Sequence, residues 1–215
     1  MPDSVWTIVV AGGSGRRFGR PKQFEDLAGR RVLDWATAVA LDASDGIVVV
    51  LPADEVAGQH SGAHEVVVAG GATRSESVRN GLAAVPASAT IVCVHDAARP
   101  FASARLFGAV IDAVKAGADG AVPGVPVADT IKVTDGAGRV LDTPDRSRLV
   151  AVQTPQAFRA DVLRRAHANG AEGTDDASLV EQAGGTVVVV DGDPRNRKIT
   201  HPEDLEWARN EVGDR

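Results

Sequence analysis

The chain has 215 residues, and its 23 basic and 29 acidic side chains give it a formal net charge of −6. This length predicts one domain whose core is large enough to fold without disulfides or a structural metal. The acidic balance, with three Trp, five Phe and no Tyr, excludes the basic face and stacking platform of a nucleic-acid-binding protein. The sequence has no run of about 20 apolar residues, so we expect no membrane span.

The start of the chain and its cysteine content predict a cytoplasmic protein. Residues 1–4 have neither the basic nor the apolar segment of a secretory signal. The single cysteine, Cys93, excludes an internal disulfide and a zinc site built from several cysteines. It lies in the apolar run 91–94, where we expect a small buried hydrophobic residue rather than a nucleophile.

Short apolar runs rich in β-branched residues alternate with helical patterns along the chain. In order, they predict a strand at 5–10, a helix at 32–43, strands at 47–51 and 65–68, a helix from Thr73 to Val85, a strand at 90–94, a helix at 106–114, a strand at 120–122, helices at 161–168 and 177–183, a strand at 186–190 and a last helix from Thr200. Most of these strands are continuously hydrophobic, as strands covered on both faces are. The order predicts an α/β fold with a mostly parallel sheet and helices on both faces.

Two of the helices begin with the sequence pattern of a capping box, in which a hydroxyl and a later carboxylate bond to each other's backbone amides. Thr73 with Glu76 opens one of them, and Thr200 with Glu203 opens the other.

Residues 127–150 break the alternation and predict a β-hairpin arm. Two short strand-like runs, 130–133 and 139–141, flank the turn sequence Asp-Gly-Ala-Gly at 135–138. A lone two-stranded hairpin is marginally stable in water. We therefore expect the arm to pack against something else, such as another subunit.

The first strand leads into a glycine-rich basic loop, AGGSGRRFGRPK at 11–22. Its glycines allow backbone amides to approach a phosphate beyond the end of a strand. A Rossmann dinucleotide site requires a third glycine where this chain has Phe18, and a Walker A loop requires a Gly-Lys-Ser/Thr that is absent. Three arginines and a lysine within 16–22 favour a triphosphate, the alternative being a glycine turn with a solvated basic face.

The fourth predicted strand ends in HDAARP at 95–100. Asp96 is placed to hold Mg²⁺, which takes one or two carboxylates and fills its other positions with water and phosphate oxygens; the alternative is a helix cap. Arg99 could bind a second anionic substrate, whereas His95 is expected to be a packed imidazole.

Three further loops carry candidate anion-binding residues, each of which could instead have a purely structural role. Thr154 could donate to a phosphate or make a turn, and Thr174 precedes Asp175 and Asp176 in a sequence that also suits a helix N-cap. The basic run 195–198 could contact an anion or be a solvated face.

Together these segments resemble the 2-C-methyl-D-erythritol 4-phosphate cytidylyltransferase family over most of the chain, from about residue 8 to residue 205. The matching motifs are AGGSGRR at 11–17, PKQ at 21–23, GGATRSESVRNGL at 70–82, HDAARP at 95–100, VADTIK at 127–132, QTPQAF at 153–158, TDDAS at 174–178 and RNRKITHPEDL at 195–205.

The resemblance implies a single Rossmann-like nucleotidyltransferase domain over residues 1–215, with 127–150 inserted in it as a dimerisation β-arm. It also implies a homodimer that transfers CMP from CTP to a sugar-alcohol phosphate, 2-C-methyl-D-erythritol 4-phosphate, in a Mg²⁺-dependent reaction that releases pyrophosphate.

The family pattern further implies a role for individual residues of this chain. The residues implied to bind the nucleotide are Ala11, Gly12, Gly13, Ser14, Gly15, Arg16, Gly71 and Ser77. Those implied to stabilise the transition state are Arg17, Lys22 and Lys198. Asp96 is implied to hold Mg²⁺ and to face the acceptor substrate. The other implied acceptor-site residues are Arg99, Thr130, Thr154, Thr174, Lys198 and Arg146, the last entering from the partner's arm.

Two positions depart from the family pattern. Where the family's first loop often begins with Pro and two Ala, this chain has Val10, Ala11 and Gly12. The glycine loosens the turn but keeps its backbone amide. Ala72 stands where some members have Asp, which removes a side-chain contact to the nucleotide.

Three other functions remain alternatives on the sequence alone. The first is a ribitol-5-phosphate cytidylyltransferase with the same fold. The second, from a different class, is an NAD-dependent oxidoreductase, which the glycine spacing disfavours. The third is an inactive nucleotide-binding module, against which the joint presence of Arg17, Lys22, Asp96 and Lys198 argues.

Overall fold

The computed structural model describes residues 3–13, 15, 17–57 and 64–213. The strands are β1 Val5–Val10, β2 Asp26–Leu27, β3 Arg30–Arg31, β4 Gly46–Leu51, β5 Glu65–Ala69, β6 Ile91–Asp96, β7 Gly120–Pro126, β8 Val133–Thr134, β9 Val140–Asp142, β10 Val150–Val152, β11 Gln156–Arg159 and β12 Val187–Asp191. The helices are α1 Val32–Asp42, α2 Arg74–Ala84, α3 Ala104–Lys115, α4 Ala160–Ala166, α5 Asp176–Gln182 and α6 Pro202–Gly213.

An eight-stranded sheet has the order β10-β7-β11-β6-β1-β4-β5, with β12 paired to β7. The pairs β1–β4, β1–β6, β4–β5 and β7–β12 are parallel, so the predicted α/β architecture is confirmed. The chain leaves β1 for β4 and β5 on one side and then returns to place β6 on the other. In such sheets the carboxyl ends of the strands flanking that reversal form a crevice for ligands.

The register of β1 against β6 determines which residues meet in this crevice. Val10, the last residue of β1, pairs with Asp96, the last residue of β6. The glycine-rich loop that follows β1 therefore begins directly beside the carboxylate predicted to hold a metal.

Apolar side chains cover both faces of the sheet, as the hydrophobic strands predict. On one face, α1 and α3 contribute side chains such as Leu33 and Phe107 to a buried cluster that also contains Cys93. On the other face, α2, α4 and α5 contribute side chains such as Leu82, Leu163 and Val180. Cys93 is fully buried and free, and burial raises the pKa of its thiol to about 12, so the expectation of a buried, inert cysteine is confirmed.

Four described strands are absent from the sequence-based prediction: the two-residue pair β2 and β3, and, within the main sheet, β10 and β11. The strands β10 and β11 run antiparallel to β7, and β11 also runs antiparallel to β6. They are only three and four residues long. β11 lies between β7 and β6, whereas β10 pairs with β7 alone. Tertiary pairing decides both positions, because runs this short give little periodicity to detect.

The two predicted capping boxes have different outcomes. The Thr73 side chain accepts from the amide of Glu76 at 3.0 Å, while the Glu76 carboxylate accepts from Ala72 rather than from Thr73. At α6 the prediction is wrong in its residues: the Asp204 carboxylate accepts from the amides of Thr200 and His201 at 2.8 Å each. Asp204 in the first turn thus supplies the carboxylate acceptor that Glu203 was expected to provide.

The predicted arm is a short antiparallel hairpin that stands in solvent. Its strands β8 and β9 pair with a register shift between Val133 and Thr134. Val133, Val140 and Leu141 are 44%, 51% and 57% exposed. A single chain therefore leaves the apolar side chains of this arm unburied. None of the helices in the described part of the chain is long and apolar enough to cross a membrane.

We predict opposite effects on stability for two helical glycines replaced by alanine. A methyl group at Gly81 in α2 would lie 2.6 Å from Ile8 Cγ2, whereas one at Gly108 in α3 would meet nothing within 4 Å. Gly81→Ala should lower the free energy of unfolding, because overpacking costs about 1–3 kcal/mol and outweighs the gain in helix propensity. Gly108→Ala should raise it by roughly 0.5–1 kcal/mol.

Urea denaturation followed by far-ultraviolet circular dichroism measures both variants against the unmodified chain. Equal stabilisation by the two substitutions would mean that α2 packs less closely on β1 than the contact with Ile8 requires.

Candidate active site

A cavity of about 610 Å³ opens at the carboxyl ends of β1 and β6. The loops that form its wall follow β1, β5 and β6, and Lys198 enters from the segment before α6. Residues of the wall include Ala11, Gly12, Gly13, Gly15, Arg17, Lys22, Gly71, Arg74, Ser77, Asp96 and Lys198. Among the described residues of the wall, four side chains are basic and Asp96 is the one acidic group. The arrangement suits an anionic ligand.

The glycine-rich loop is held in place by backbone contacts and by one buried side chain. Gly15 has a positive φ of 67°, and a side chain there would collide with the Arg20 carbonyl at 1.8 Å, so only glycine fits. The Gln23 amide donates to the carbonyls of Ala11 at 2.8 Å and Gly13 at 3.0 Å. Both carbonyls are thereby engaged, and the predicted nucleotide residues Ser14 and Arg16 lie outside the described residues.

Lys22 and Arg17 bring positive charge to the mouth of the cavity. Burial lowers the pKa of Lys22, and the neighbouring charges of Lys198 and Arg17 lower it further. Among the described residues no carboxylate lies within ion-pairing distance of Lys22. A half-buried ammonium that repels its neighbours is stabilised by any anion that enters.

Asp96 is the centre of an ion-pair cluster. One carboxylate oxygen lies 2.5 Å from Lys198 Nζ, and the other lies 3.5 Å from a terminal nitrogen of Arg74. Burial alone would raise the pKa of Asp96, but the charges of Lys198 and Arg74 hold it well below its usual range. The carboxylate is therefore ionised, and each of its oxygens faces a basic side chain.

Thr154 and His95 lie behind Asp96 and fix its backbone. The amide of Asp96 donates to the Thr154 hydroxyl at 3.0 Å, and that hydroxyl lies 3.0 Å from His95 Nδ1. His95 Nε2 lies 3.2 Å from the Arg99 carbonyl, which can only accept. The imidazole proton therefore sits on Nε2, and the Thr154 hydroxyl donates its single proton to Nδ1.

The neutral form of His95 follows from its surroundings. The ring is fully buried, and burial lowers its pKa to about 4. The expectation that His95 is a packed, hydrogen-bonded imidazole is confirmed.

The segment that carries Lys198 is anchored on both sides of that residue. The buried Asn196 side chain donates to the Thr154 carbonyl at 2.8 Å, and the amide of Ile199 donates to the Ala98 carbonyl at 2.8 Å. Arg99 donates to the Asn196 carbonyl at 2.7 Å. These bonds tie the basic run 195–198 to the end of β6, so Lys198 reaches Asp96 although 102 positions separate them.

Gly71 and Ser77 form the opposite wall of the cavity. The Ser77 hydroxyl accepts from the amide of Gly71 at 3.1 Å and donates to the Thr73 carbonyl at 2.9 Å. A side chain at Gly71 would lie 2.2 Å from Glu76 Cγ, so the chain passes close over α2. Ala72 presents a backbone amide that Glu76 already engages.

Several predicted acceptor-site residues, all of them in the described part of the chain, do not line this cavity. Arg99 and Thr154 lie beside it, behind the end of β6, and Thr174 is exposed ahead of α5. Thr130 and Arg146 are exposed on the arm, where Arg146 donates to the Ala128 carbonyl at 2.7 Å. Their predicted roles toward a substrate stay predictions.

Arg74 and Gln23 are site residues that the sequence analysis does not single out. Both fall inside quoted motifs, GGATRSESVRNGL and PKQ. Each occupies a position whose partners come from elsewhere in the chain, so spacing alone gives no signal for either of them.

The donor set around Asp96 can be compared with the needs of Mg²⁺. Within residues 3–13, 15, 17–57 and 64–213, no group of three or more His, Cys, Asp or Glu side chains could hold a metal ion. Asp96 therefore offers one carboxylate, and Mg²⁺ commonly binds through one or two carboxylates with water and substrate phosphates. The residues present fit a metal that arrives with a phosphate ligand.

Comparison with protein families gives a match over almost the whole chain. The model described as "IspD: 2-C-methyl-D-erythritol 4-phosphate cytidylyltransferase" matches residues 5–213. Among curated relatives, the protein of that name from Rubrobacter xylanophilus is 46% identical, with 94% of this chain and 91% of the relative covered.

A "Bifunctional enzyme IspD/IspF" from Solidesulfovibrio magneticus is also 46% identical over 94% of this chain. The chain spans 56% of that relative's length.

Solved structures give the same result. The crystal structure of 2-C-methyl-D-erythritol 4-phosphate cytidylyltransferase from Thermus thermophilus superposes with a TM-score of 0.81 and 38% identity, covering 99% of this chain and 100% of that one. That of 4-diphosphocytidyl-2C-methyl-D-erythritol synthase from Anaerococcus prevotii has a TM-score of 0.84 and 29% identity, covering 98% and 99%.

We predict that Thr154→Val destabilises the protein in the absence of any ligand. Valine keeps the shape of the side chain but leaves the Asp96 amide and His95 Nδ1 buried without partners. The free energy of unfolding should fall by about 2 kcal/mol, the cost of unsatisfied buried groups. Thr154→Ser keeps the hydroxyl and should retain most of the stability.

Thermal and urea denaturation of the two variants and the unmodified chain measure these free energies of unfolding. A valine variant as stable as the unmodified chain would show that the hydroxyl is uncommitted in the free protein.

Proposed function

This chain belongs to the 2-C-methyl-D-erythritol 4-phosphate cytidylyltransferase family, and from that membership we propose that it transfers CMP from CTP to 2-C-methyl-D-erythritol 4-phosphate. The products are pyrophosphate and 4-diphosphocytidyl-2-C-methyl-D-erythritol. The observation that carries the proposal is the cavity in which Arg17, Lys22, Arg74 and Lys198 surround the single carboxylate of Asp96.

The chemistry needs charge neutralisation more than proton transfer. A phosphate oxygen of the acceptor attacks the α-phosphorus of CTP, a new P–O bond forms, and the bond from that phosphorus to the β-phosphate oxygen breaks. The attacking oxygen is already ionised, so we assign no general base. Two polyanions must instead be brought together, which is a task for positioned cations.

The basic side chains of the cavity supply those cations. We assign Lys22, Arg17 and Lys198 to stabilisation of the charge that develops on the transferred and leaving phosphates. Lys22 is supported by its half-buried position without a carboxylate partner in the described part of the chain, because such a cation gains most from an incoming phosphate. The backbone of the glycine-rich loop, with Gly71 and Ser77 opposite, is assigned to the nucleotide.

We assign Asp96 to Mg²⁺. Its ionised carboxylate at the cavity wall is the support for this assignment. When bound there, Mg²⁺ would neutralise charge on the phosphates of CTP.

The acceptor substrate is assigned to the side of the cavity near the end of β6. Arg99 supports this because its buried Nε has no hydrogen-bond partner among the described residues, although its terminal nitrogens are engaged. Thr174 and Thr130 are exposed and free to contact the acceptor after assembly. The Thr154 hydroxyl, whose proton goes to His95, is available only as an acceptor.

A homodimer formed through the arm would complete the site. The exposed apolar residues Ile131, Val133, Val140 and Leu141 support this, because burial against a second arm would remove them from water. In that arrangement Arg146 of the partner subunit would bind the acceptor phosphate through its guanidinium. We also propose that the enzyme works in the cytoplasm, where the free thiol of Cys93 stays reduced.

Pyrophosphate release tests the proposed reaction. With CTP and Mg²⁺, we expect turnover with 2-C-methyl-D-erythritol 4-phosphate and little with ribitol 5-phosphate or hexose phosphates. Lys22→Ala should lower kcat by roughly 10²–10³, the usual loss for one charge-stabilising group. Lys115→Ala, at the end of α3, is the matched control and should leave turnover unchanged.

Preference for ribitol 5-phosphate, or for UTP over CTP, would overturn the substrate assignment. Equal activity of the Lys22→Ala and unmodified proteins would overturn the assignment of Lys22 to charge stabilisation.

We make a separate prediction for the arm, which subunit complementation tests. Arg146→Ala should weaken binding of the acceptor far more than binding of CTP. When it is mixed with Lys22→Ala, each mixed dimer holds one site with both residues intact, so about a quarter of the unmodified activity should return after full exchange. If mass-tagged subunits demonstrably exchange and no activity returns, Arg146 acts within its own chain or has no role.

A further inference from the structure

A line of four polar side chains runs from the interior to the cavity. It begins at His167, which follows α4, and continues through Asp176 at the start of α5 to Arg74 at the start of α2. Arg74 then reaches Asp96 in the cavity wall. Only the last two members, Arg74 and Asp96, line the cavity.

Asp176 is a carboxylate with almost no access to water. Its side chain is 1% exposed, and such a charge is tolerated only when it is paired and hydrogen-bonded. One oxygen accepts from Arg74 at 2.8 Å, and the other lies 3.0 Å from His167 Nε2. Both oxygens of the carboxylate are therefore engaged.

His167 acts here as a donor. Because its Nε2 faces a carboxylate oxygen, that nitrogen carries a proton. Its Nδ1 is buried and has no partner among the described residues, so a second proton there would be unsatisfied. The geometry fits a neutral imidazole whose one hydrogen bond directs the Asp176 carboxylate.

Arg74 is shared between two carboxylates, and the two contacts are unequal. One terminal nitrogen lies 2.8 Å from Asp176, and the other lies 3.5 Å from Asp96. The shorter contact to the buried carboxylate fixes the guanidinium and leaves its second nitrogen facing one oxygen of Asp96. Lys198 contacts the other oxygen of Asp96, so the two cations determine how that carboxylate is turned.

We propose that Arg74 is a positioning residue that orients the Asp96 carboxylate toward a divalent cation, and that the buried Asp176–His167 pair keeps Arg74 from closing onto Asp96. This inference rests on the proposed function, in which Asp96 holds Mg²⁺ together with CTP. Without Asp176, the ion pair with Asp96 is the one that Arg74 keeps in the described part of the chain. A closer Arg74–Asp96 pair competes directly with the metal.

Binding of Mn²⁺ in the presence of CTP, followed by electron paramagnetic resonance, measures this without any turnover. Asp176→Asn should raise the Kd of Mn²⁺ by roughly 10–100-fold, the range seen when partners that orient metal ligands are removed. His167→Leu, which removes the donor to Asp176, should shift the Kd in the same direction. His167→Gln places an amide donor near the same position and should restore binding to within about twofold of the unmodified chain.

Arg79→Gln is the matched control. Arg79 lies on the same helix, but its guanidinium bonds to the Ala171 carbonyl and to exposed Glu172 rather than to the cavity. Its substitution should leave the Kd of Mn²⁺ unchanged. If Asp176→Asn fails to fold, the comparison of His167→Leu with His167→Gln still tests the inference.

Unfolding measurements on the same variants separate positioning from a purely structural role. A loss of stability in His167→Leu with an unchanged Kd of Mn²⁺ would overturn the inference, as would equal binding by the Leu and Gln variants. Failure of the proposed function has a different signature. In that case the unmodified protein releases no pyrophosphate from CTP with any acceptor, whatever the Mn²⁺ results are.

Discussion

The structure around the cavity depends on one ionised carboxylate among several cations. Asp96 faces Lys198 at 2.5 Å and Arg74 at 3.5 Å, while Lys22 lies close enough to Lys198 for the charge of Lys198 to lower the pKa of Lys22. Without that carboxylate, the basic side chains would repel one another in a partly buried space. Asp96 lets them converge before any phosphate arrives, and the remaining excess of positive charge is what an anionic substrate would neutralise.

The position of this carboxylate follows from the path of the chain through the sheet. The reversal of strand order beside β1 creates the crevice, and the register of β1 against β6 places Val10 opposite Asp96. The Thr154 hydroxyl and the neutral imidazole of His95 then hold the end of β6 from behind. A rigid sheet edge carries the cavity, which suits a reaction that depends on positioning rather than on proton transfer.

The arm has the opposite physical character. Its side chains are exposed, and its two strands pair over only two and three residues. A hairpin of this size gains little from its own contacts, so its conformation in solution depends on what covers it.

Most strands, the arm and two parts of the cavity could be predicted from the sequence, because each of them depends on residues that are close together in the chain. Continuous β-branched runs predicted β1, β4, β5, β6, β7 and β12, and Asp-Gly between short runs predicted the arm. The glycine-rich loop and the carboxylate at the end of β6 were found from their residue types and their position after strands. The motifs also identified the family, because many short patterns occur in one order.

What only the tertiary structure decided is which distant residues share a charge or a proton. Arg74, Asp176 and His167 come from three helices or their ends, and nothing in their spacing indicates that they meet. The role of the Thr154 hydroxyl is likewise invisible until His95 and the Asp96 amide lie 3.0 Å from it. Sequence patterns report periodicity and local hydrogen bonding, whereas a buried charge finds its partners through the packing of the whole domain.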